Sequence, residues 1–348
     1  GHTHSKLPEA IAHGTTYIGS ADEYGRYLGS MSLTQNADGT WKLDKYELIP
    51  ITEDIPEDEA MQATIDNYLA QIDVNYLSVY GFERTEVLAE NDVEFCPAES
   101  LGHKHEERNL GSIMADSYRY YVESLPDWDG NPVHVAAVPK GLVRETYPMG
   151  NITVEDVFNS FSLGIGEDGM AGYPLVSVYF TGEEIKLIAE IDASISPLMT
   201  YARLSTSGLQ WTFNPNRLIL SKAYDTHLVT LDGERTEIEK DQLYRVVADL
   251  YSLKLLSSVT DLSYGLLSIV PKDAEGNVIE SFSDTIIHTE GREVKAWEAI
   301  ARYMQSFEDT DGNGIANVDS RYASNEGRKV VEDSKALGDL LKQPNKFF

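Results

Sequence analysis

Apolar residues recur at helical spacing through Leu110, Ile113, Met114, Tyr118 and Tyr121, which predicts a helix over 109–122 with one buried face. Pro126 and Asp129-Gly130 end it and turn the chain. Val133 to Val138 then forms a continuous apolar run, short enough for a buried strand. Gly141-Leu142-Val143-Arg144 places an arginine where that strand passes into a loop. Gly150-Asn151-Ile152 leads to Thr153 as an N-cap, with Asp156 three residues on as an imperfect capping box, so a second helix begins there. Helix, strand, exposed arginine and helix in this order suit the holding of an anion at the end of a sheet.

The same patterning organises the rest of the chain. Asn36-Ala37-Asp38-Gly39 is a hairpin turn between two alternating strands. After a linker with two prolines, Pro50 and Pro56, a helix over 57–77 carries Met61, Ile65, Tyr68, Leu69, Ile72 and Tyr76 on one face. Val294, Trp297, Ile300, Ala301 and Met304 make an amphipathic helix that packs back on the preceding domain, and a short helix around 336–341 stops before Pro344. No internal repeat, low-complexity segment or glycine-rich Walker loop interrupts this order.

Composition narrows the function classes. A chain of 348 residues with 42% hydrophobic and 10% aromatic residues is globular and long enough for one large domain or two. Its 57 acidic against 28 basic residues give a net charge of −29, which argues against nucleic acid and anionic lipid as partners. Cys96 is the single cysteine, so no intrachain disulfide and no C-x-x-C metal site can form. No apolar run reaches membrane-spanning length and no signal peptide is present.

Several clusters carry candidate chemistry. Glu99, His103, Lys104, His105, Glu106 and Arg108 alternate acids with histidines and could be a metal site or a solvated loop before the helix. Asp225-Thr226-His227 has a D-x-H form without a partner motif and reads as a polar loop before a strand at 228–231. Asp309, Asp311 and Asn313, with Gly314 at position six, match the start of a calcium loop. Position twelve is Ser320 rather than an acid, with Asp319 one residue early, and a Gly-Asn turn is the competing reading.

Taken together, the motifs resemble a known family. Asn109-Leu110-Gly111 with Ala115-Asp116, the strand ending in Gly141-Leu142-Val143-Arg144, and Gly150 to Phe158 followed by Ser160-Phe161 are similar to the C-terminal domain of the 5'-nucleotidases, the UDP-sugar hydrolase family. Val176 to Gly182 resembles that family's strand before a helix, Ser205 to Phe213 its S-G-L-x-Y strand, and Tyr244 to Asp249 its late strand. The resemblance runs in collinear order over roughly 100–260, which is more specific than any one motif.

The resemblance implies an α+β fold of mixed sheets with packed helices, preceded by strands from the end of a metallophosphatase domain. It divides the chain into 1–50, the remnant of that domain; 51–78, linker and connecting helix; 79–307, the substrate-binding domain; and 308–348, an appended tail with the candidate calcium loop. The implied activity is metal-dependent hydrolysis of nucleotide 5'-phosphomonoesters, or of 2',3'-cyclic nucleotides or UDP-sugars, by an extracytoplasmic protein that is secreted or anchored at the cell surface. Two divalent ions, Zn or Mn, would sit in the metallophosphatase domain, the partner the chain lacks. His2 and His4 of Gly1-His2-Thr3-His4 resemble the G-H-[ST]-[HQ] end of that site. The family's other ligands come from D-x-H, G-D and G-N-H-[DE] segments upstream, so no catalytic residue is expected within this chain and the fragment is expected to be inactive.

For the nucleotide substrate, the resemblance assigns Arg144 to an anion, with Lys140 and the lip residue Lys104 adding positive charge. Phe161 falls near the P-F-G-G phenylalanine that stacks on a nucleobase, and Tyr251 supplies the opposite ring. Two departures matter. The family's N-G-G-G-[IV]-R becomes Pro139-Lys140-Gly141-Leu142-Val143-Arg144, and its G-G-D ribose segment becomes the apolar Ser252-Leu253-Lys254-Leu255-Leu256. These leave open a different class, a degenerate binding or spacer module of a surface protein.

Overall fold

The computed structural model describes residues 4–230, 233–262 and 268–342. The chain divides into two units, Gly1–Ile72 and Asp73–Phe348. In the first, β1 (Ile11–His13) and β2 (Thr16–Ile18) pair antiparallel, and β3 (Tyr27–Gln35) and β4 (Trp41–Pro50) form a long hairpin. Its turn is the one the sequence predicts: Gly39 takes a φ of +83° and Asp38 Oδ1 accepts the Thr40 N–H at 3.0 Å. The helix α1 (Glu59–Asn75) also forms where the apolar spacing places it. Its stripe is uncovered, however: the helix buries no residue, and Met61, Ile65, Tyr68 and Ile72 are all exposed. Tyr76 lies beyond the helix end and packs against the second unit's core, donating to the Ala171 carbonyl at 2.8 Å.

The second unit opens with β5 (Val87–Asn91), α2 (Ser100–His103), α3 (Asn109–Ser124) and β6 (Val135–Pro139). It continues through β7 (Gly150–Thr153), α4 (Val154–Ser160), β8 (Leu175–Thr181) and α5 (Gly182–Ser194). Then come β9 (Leu204–Ser207), β10 (Leu209–Phe213), β11 (Ala223–Val229), β12 (Arg235–Thr236) and β13 (Leu243–Asp249). The last elements are α6 (Leu250–Leu262), β14 (His288–Thr289), β15 (Arg292–Glu293), α7 (Ala296–Gln305), β16 (Lys329–Val331) and α8 (Leu337–Leu340).

One four-stranded sheet has the order β8-β13-β6-β9, with β6 and β13 parallel and the outer strands antiparallel to them. A second has the order β12-β11-β10-β16, in which β16 runs parallel to β10. Mixed sheets with packed helices make the fold α+β. Around α3, α4 and α7, Leu110, Ile113, Tyr118 and Val157 share a core with Trp297, Ile300 and Met304. A second core sets Ile185 and Ile188 of α5 among Val176, Val178, Trp211 and Phe213.

The motif that opens α3 has a physical reason at each fixed position. Asn109 Oδ1 accepts the Cys96 N–H at 3.0 Å, while its amide donates to the carbonyls of Glu94 and Tyr322. Gly111 lets the helix lie against β9, because a Cβ there would overlap Ser205 Oγ. Asp116 is buried and receives the Arg328 guanidinium through two bonds of 2.8 Å, with the Tyr322 hydroxyl at 2.7 Å. Burial alone would push the Asp116 carboxyl up; the Arg328 guanidinium outweighs it and holds it below the ordinary carboxylate range. The α4 capping box is complete, since the Asp156 carboxylate accepts the Thr153 N–H at 2.8 Å in return for the bond that Thr153 receives.

The segment after 308, which reads as an appended tail in the sequence, contributes a strand to a sheet and two buried cations. Arg328 reaches α3 through Asp116, and Lys329 reaches α5 through Asp192 at 2.8 Å. Breaking the first of these leaves a carboxylate buried with its main counter-charge gone. Arg328→Met is therefore expected to lower stability by about 3–5 kcal/mol in urea unfolding. The Asp116→Asn, Arg328→Met double variant should recover part of that loss, and strict additivity of the two single changes would refute the coupling.

Candidate functional site

The parallel strands β6 and β13 end together, at Pro139 and Asp249, and their antiparallel neighbours begin there, with Leu204 opposite Pro139 and Leu175 opposite Asp249. Loops therefore converge at the carboxyl edge of a parallel pair, the position where open α/β sheets hold ligands. Lys140–Leu142 form a 3₁₀ turn whose first N–H donates to the Arg203 carbonyl at 2.8 Å. Arg203 Nη1 in turn donates to the Gly102 carbonyl at 2.7 Å. The Lys140 stem passes close over Gly102, where a Cβ would stand 3.4 Å from Lys140 Cε.

Gly141 sits under two tyrosines. A Cβ at this position would lie 3.1 Å from both the Tyr251 hydroxyl and the Tyr201 carbonyl oxygen. The Tyr251 ring stands 5.9 Å from that of Tyr173, with planes tilted by 42°. Burial, together with Tyr201, Asp249 and Tyr173 nearby, pushes the Tyr251 phenol up, so its hydroxyl keeps its proton at neutral pH. Tyr201 is 44% exposed and Tyr251 half-buried. Three residues beyond the turn's glycine, the Arg144 N–H donates to the Ser160 carbonyl at 2.9 Å, and its half-buried guanidinium has no hydrogen-bond or ion-pair partner among the described residues.

Tyr251 thus lies over the turn that carries Lys140, with Arg144 on the same loop. Phe161 does not. Its ring is 2% exposed and meets Tyr118 edge-on at 6.1 Å, where Tyr118 in turn reaches Asp249. The residue that ends α4 faces the core, so Phe161 presents no open face to a base. Placing the first glycine of the family's P-F-G-G on Gly164 moves its phenylalanine to Leu163, a half-buried aliphatic residue. Tyr173, Tyr201 and Arg203 were missed because nothing local marks them. The signal lay in topology: an S-G-L strand antiparallel to β6 brings the residues before Leu204 beside Lys140.

The other candidates resolve individually. Lys104 is exposed and stands 3.9 Å from Glu106. Around it, Arg108 binds Glu106 at 3.0 Å and Ser100 Oγ at 3.0 Å, while His105 Nε2 lies 2.7 Å from buried Asp192. His4 pairs with Glu23 through Nδ1, and His2 lies outside the described residues. Among the described residues no three His, Cys, Asp or Glu side chains converge in a way that could hold a metal ion, so they do not fit a dinuclear centre. In the candidate calcium loop, Asp309 accepts the N–H groups of Gly312, Asn313 and Gly314, and Asn313 Nδ2 donates to Glu90 at 2.8 Å. These bonds close the turn from within the protein.

Comparison with known proteins supplies the setting. Residues 88–257 match the family model described as 5'-nucleotidase, C-terminal domain. Over 254 residues the chain is 23% identical to the trifunctional nucleotide phosphoesterase protein YfkN of Bacillus subtilis (strain 168), covering 72% of this chain and 16% of that protein. Among solved structures, a 5'-nucleotidase precursor from Thermus thermophilus aligns with a TM-score of 0.60 at 21% identity, over 94% of this chain and 54% of that one. The NAD nucleotidase of Haemophilus influenzae aligns at 0.52 with 11% identity over 94% and 57%. The sulfate thiohydrolase SoxB of Thermus thermophilus aligns at 0.53 with 15% identity over 95% and 49%. The chain spans about half the length of these solved structures, and the likeness to them is one of fold.

Asp249, at the end of β13 beside Tyr251, has a measurable signature. Burial pushes its carboxyl up to about 6, against the Ser252 N–H and hydroxyl that favour the charged form. Because the folded value lies above the unfolded one of about 3.9, its contribution is complete below about pH 4 and is lost as pH rises through 6. Asp249→Asn escapes that loss. Its stability relative to the unaltered protein is expected to rise by about 2–3 kcal/mol between pH 4 and pH 7 in urea unfolding. A difference that does not change with pH would show that the carboxyl does not titrate in this window.

Proposed function

Because residues 88–257 belong to the 5'-nucleotidase C-terminal domain family, we propose that the second unit is the substrate-presenting part of a metal-dependent nucleotide phosphoesterase. The observation that carries this reading is the edge of β6 and β13, where Lys140, Tyr251 and Tyr201 converge around Gly141 with unpaired Arg144 on the same loop. A tyrosine face accepts any base at about 1–3 kcal/mol per stack. Lysine and arginine at the rim complement a phosphate, the arginine through two parallel bonds. The substrate class is nucleotide phosphomonoesters, 2',3'-cyclic nucleotides or UDP-sugars.

In this reading the divalent ions that activate water belong to a metallophosphatase domain of the parent protein, and residues of the second unit bind and orient the nucleotide. Exposed apolar residues in the first unit, among them Leu28, Trp41, Ile49 and Ile65, support its role as the closing β-layer and connector of such a domain. An extracytoplasmic parent belongs to the same proposal. No helix among the described residues is long and apolar enough to cross a membrane.

A second reading draws on a specific observation. With Phe161 in the core, Leu163 aliphatic and Ser252-Leu253 where the ribose segment would be, the unit is in this second reading a binding or spacer module that no longer selects nucleotides. Saturation-transfer NMR with AMP on the 348-residue chain separates the two. The first reading expects transfer to the base protons and about ten-fold weaker binding in Tyr251→Ala, one stacking contact being worth ~1–3 kcal/mol. It also expects weaker binding in Lys140→Ala, and no release of phosphate from AMP with added Mn²⁺. Absence of transfer, or binding that neither substitution alters, would establish the second reading instead.

A further inference from the structure

At the opposite edge of the central sheet lies a cleft of about 830 Å³, a volume within the range of small-molecule sites. It opens between the second half of α3 and the β11–β12 hairpin. Ser207 and Gly208 line it, and Ser207 pairs with Ala136 near the start of β6, away from the Pro139–Leu204 end.

Guanidinium groups from four segments reach this cleft, in a chain whose net charge is −29. Three of them are neutralised in place. Arg328 meets Asp116 at 2.8 Å and also Glu326, Arg321 meets Asp116 at 3.0 Å, and Arg235 meets Asp225 at 2.5 Å. Arg119 is different. It is 8% exposed, donates through Nη1 to the Val229 carbonyl at 3.2 Å, and keeps a buried Nε with no hydrogen-bond partner. No carboxylate forms an ion pair with it among the described residues. Glu123, one helical turn on, accepts the Val133 N–H at 2.7 Å instead. Burial pulls the Arg119 guanidinium below its ordinary value, with Glu123 and Asp116 acting against that through space.

A buried cation with no ion-pair partner among the described residues is a costly arrangement, yet the fold leaves room for this one. Gly208 has a φ of +79°, and a Cβ there would overlap the His134 carbonyl and stand 2.9 Å from Arg119 Nη1. Across the cleft, His227 Nδ1 lies 2.9 Å from the Asp225 carbonyl oxygen, so that nitrogen must be the donor. In the neutral ring its Nε2 is then an acceptor, with no protein partner among the described residues.

We propose that this cleft binds a small molecule bearing an oxyanion, carboxylate or phosphate, with Arg119 as counter-charge and His227 Nε2 accepting from a neighbouring ligand hydroxyl. The proposal is independent of the nucleotide edge, which lies at the other end of β6.

The test is calorimetric titration of the 348-residue chain, at constant ionic strength, with inorganic phosphate, glycerol 3-phosphate, acetate and lactate. Binding is expected within the phosphate pair or the carboxylate pair, which identifies the oxyanion, and the hydroxylated member of the pair should bind more tightly. Arg119→Ala should weaken it at least ten-fold. His227→Asn, which can keep the bond to Asp225 while removing Nε2, should abolish the preference for the hydroxylated probe. The titrations are read in a Lys140→Ala, Arg144→Ala background, in which the nucleotide edge no longer offers these cations to a phosphate, so failure here and failure of the nucleotide reading are distinguishable. No binding of any probe at millimolar concentrations, or equal binding by Arg119→Ala, would overturn the proposal. Should Arg119→Ala not fold, an unaltered probe preference in His227→Asn would overturn it as well.

Discussion

Two adjacent cations hold the second unit together. Arg328 and Lys329 enter the interior side by side, and each meets a carboxylate that could not otherwise be buried: Asp116 from α3 and Asp192 from α5. Burial would push both carboxyls up, but the opposing charges win and both lie below their ordinary values. Lys329 also donates to the Leu204 carbonyl at 2.7 Å, and His105 Nε2 meets the same Asp192 oxygen as Lys329. One dipeptide thus links two helices, the start of β9 and the strand β16 that it opens. The apolar cores set the shape, while this ionic pair determines which segments meet.

Much of this was legible in the residues. The α3 periodicity, the hairpin turn at Asn36–Gly39, the capping box at Thr153 and the α7 stripe each state a local preference that tertiary packing only had to accept. The fixed residues of the α3 motif were legible as a resemblance but not as physics. Their reasons are partners far along the chain, such as Ser205 for Gly111 and Arg328 for Asp116, which no local pattern announces. The strand β16 escapes a local reading for the same cause. A three-residue strand with two charged neighbours carries no periodicity, and its place is set by pairing with β10.

The candidate site shows where sequence spacing succeeds and fails. Gly141, next to Lys140, and Tyr251 lie over a hundred residues apart and still meet, because parallel strands deliver their ends to one edge. Phe161 does not join them: at the end of α4 its ring faces the core and packs edge-on against Tyr118. The rings at this edge are tyrosines, whose hydroxyls add polarity to it. The exposed ring of Tyr201 there is a feature that the motifs alone do not carry.

The tail strand also imposes an order in time. Asp116 and Arg328 are separated by 212 positions, so the carboxylate leaves the ribosome long before its partner does. At ordinary elongation rates the interval is roughly 10–40 s. During it α3 can form its turns but cannot seat its charged face, since burying Asp116 without the guanidinium is unfavourable. The seating of α3 against its partners is therefore expected to follow, not precede, the arrival of the strand that carries Arg328.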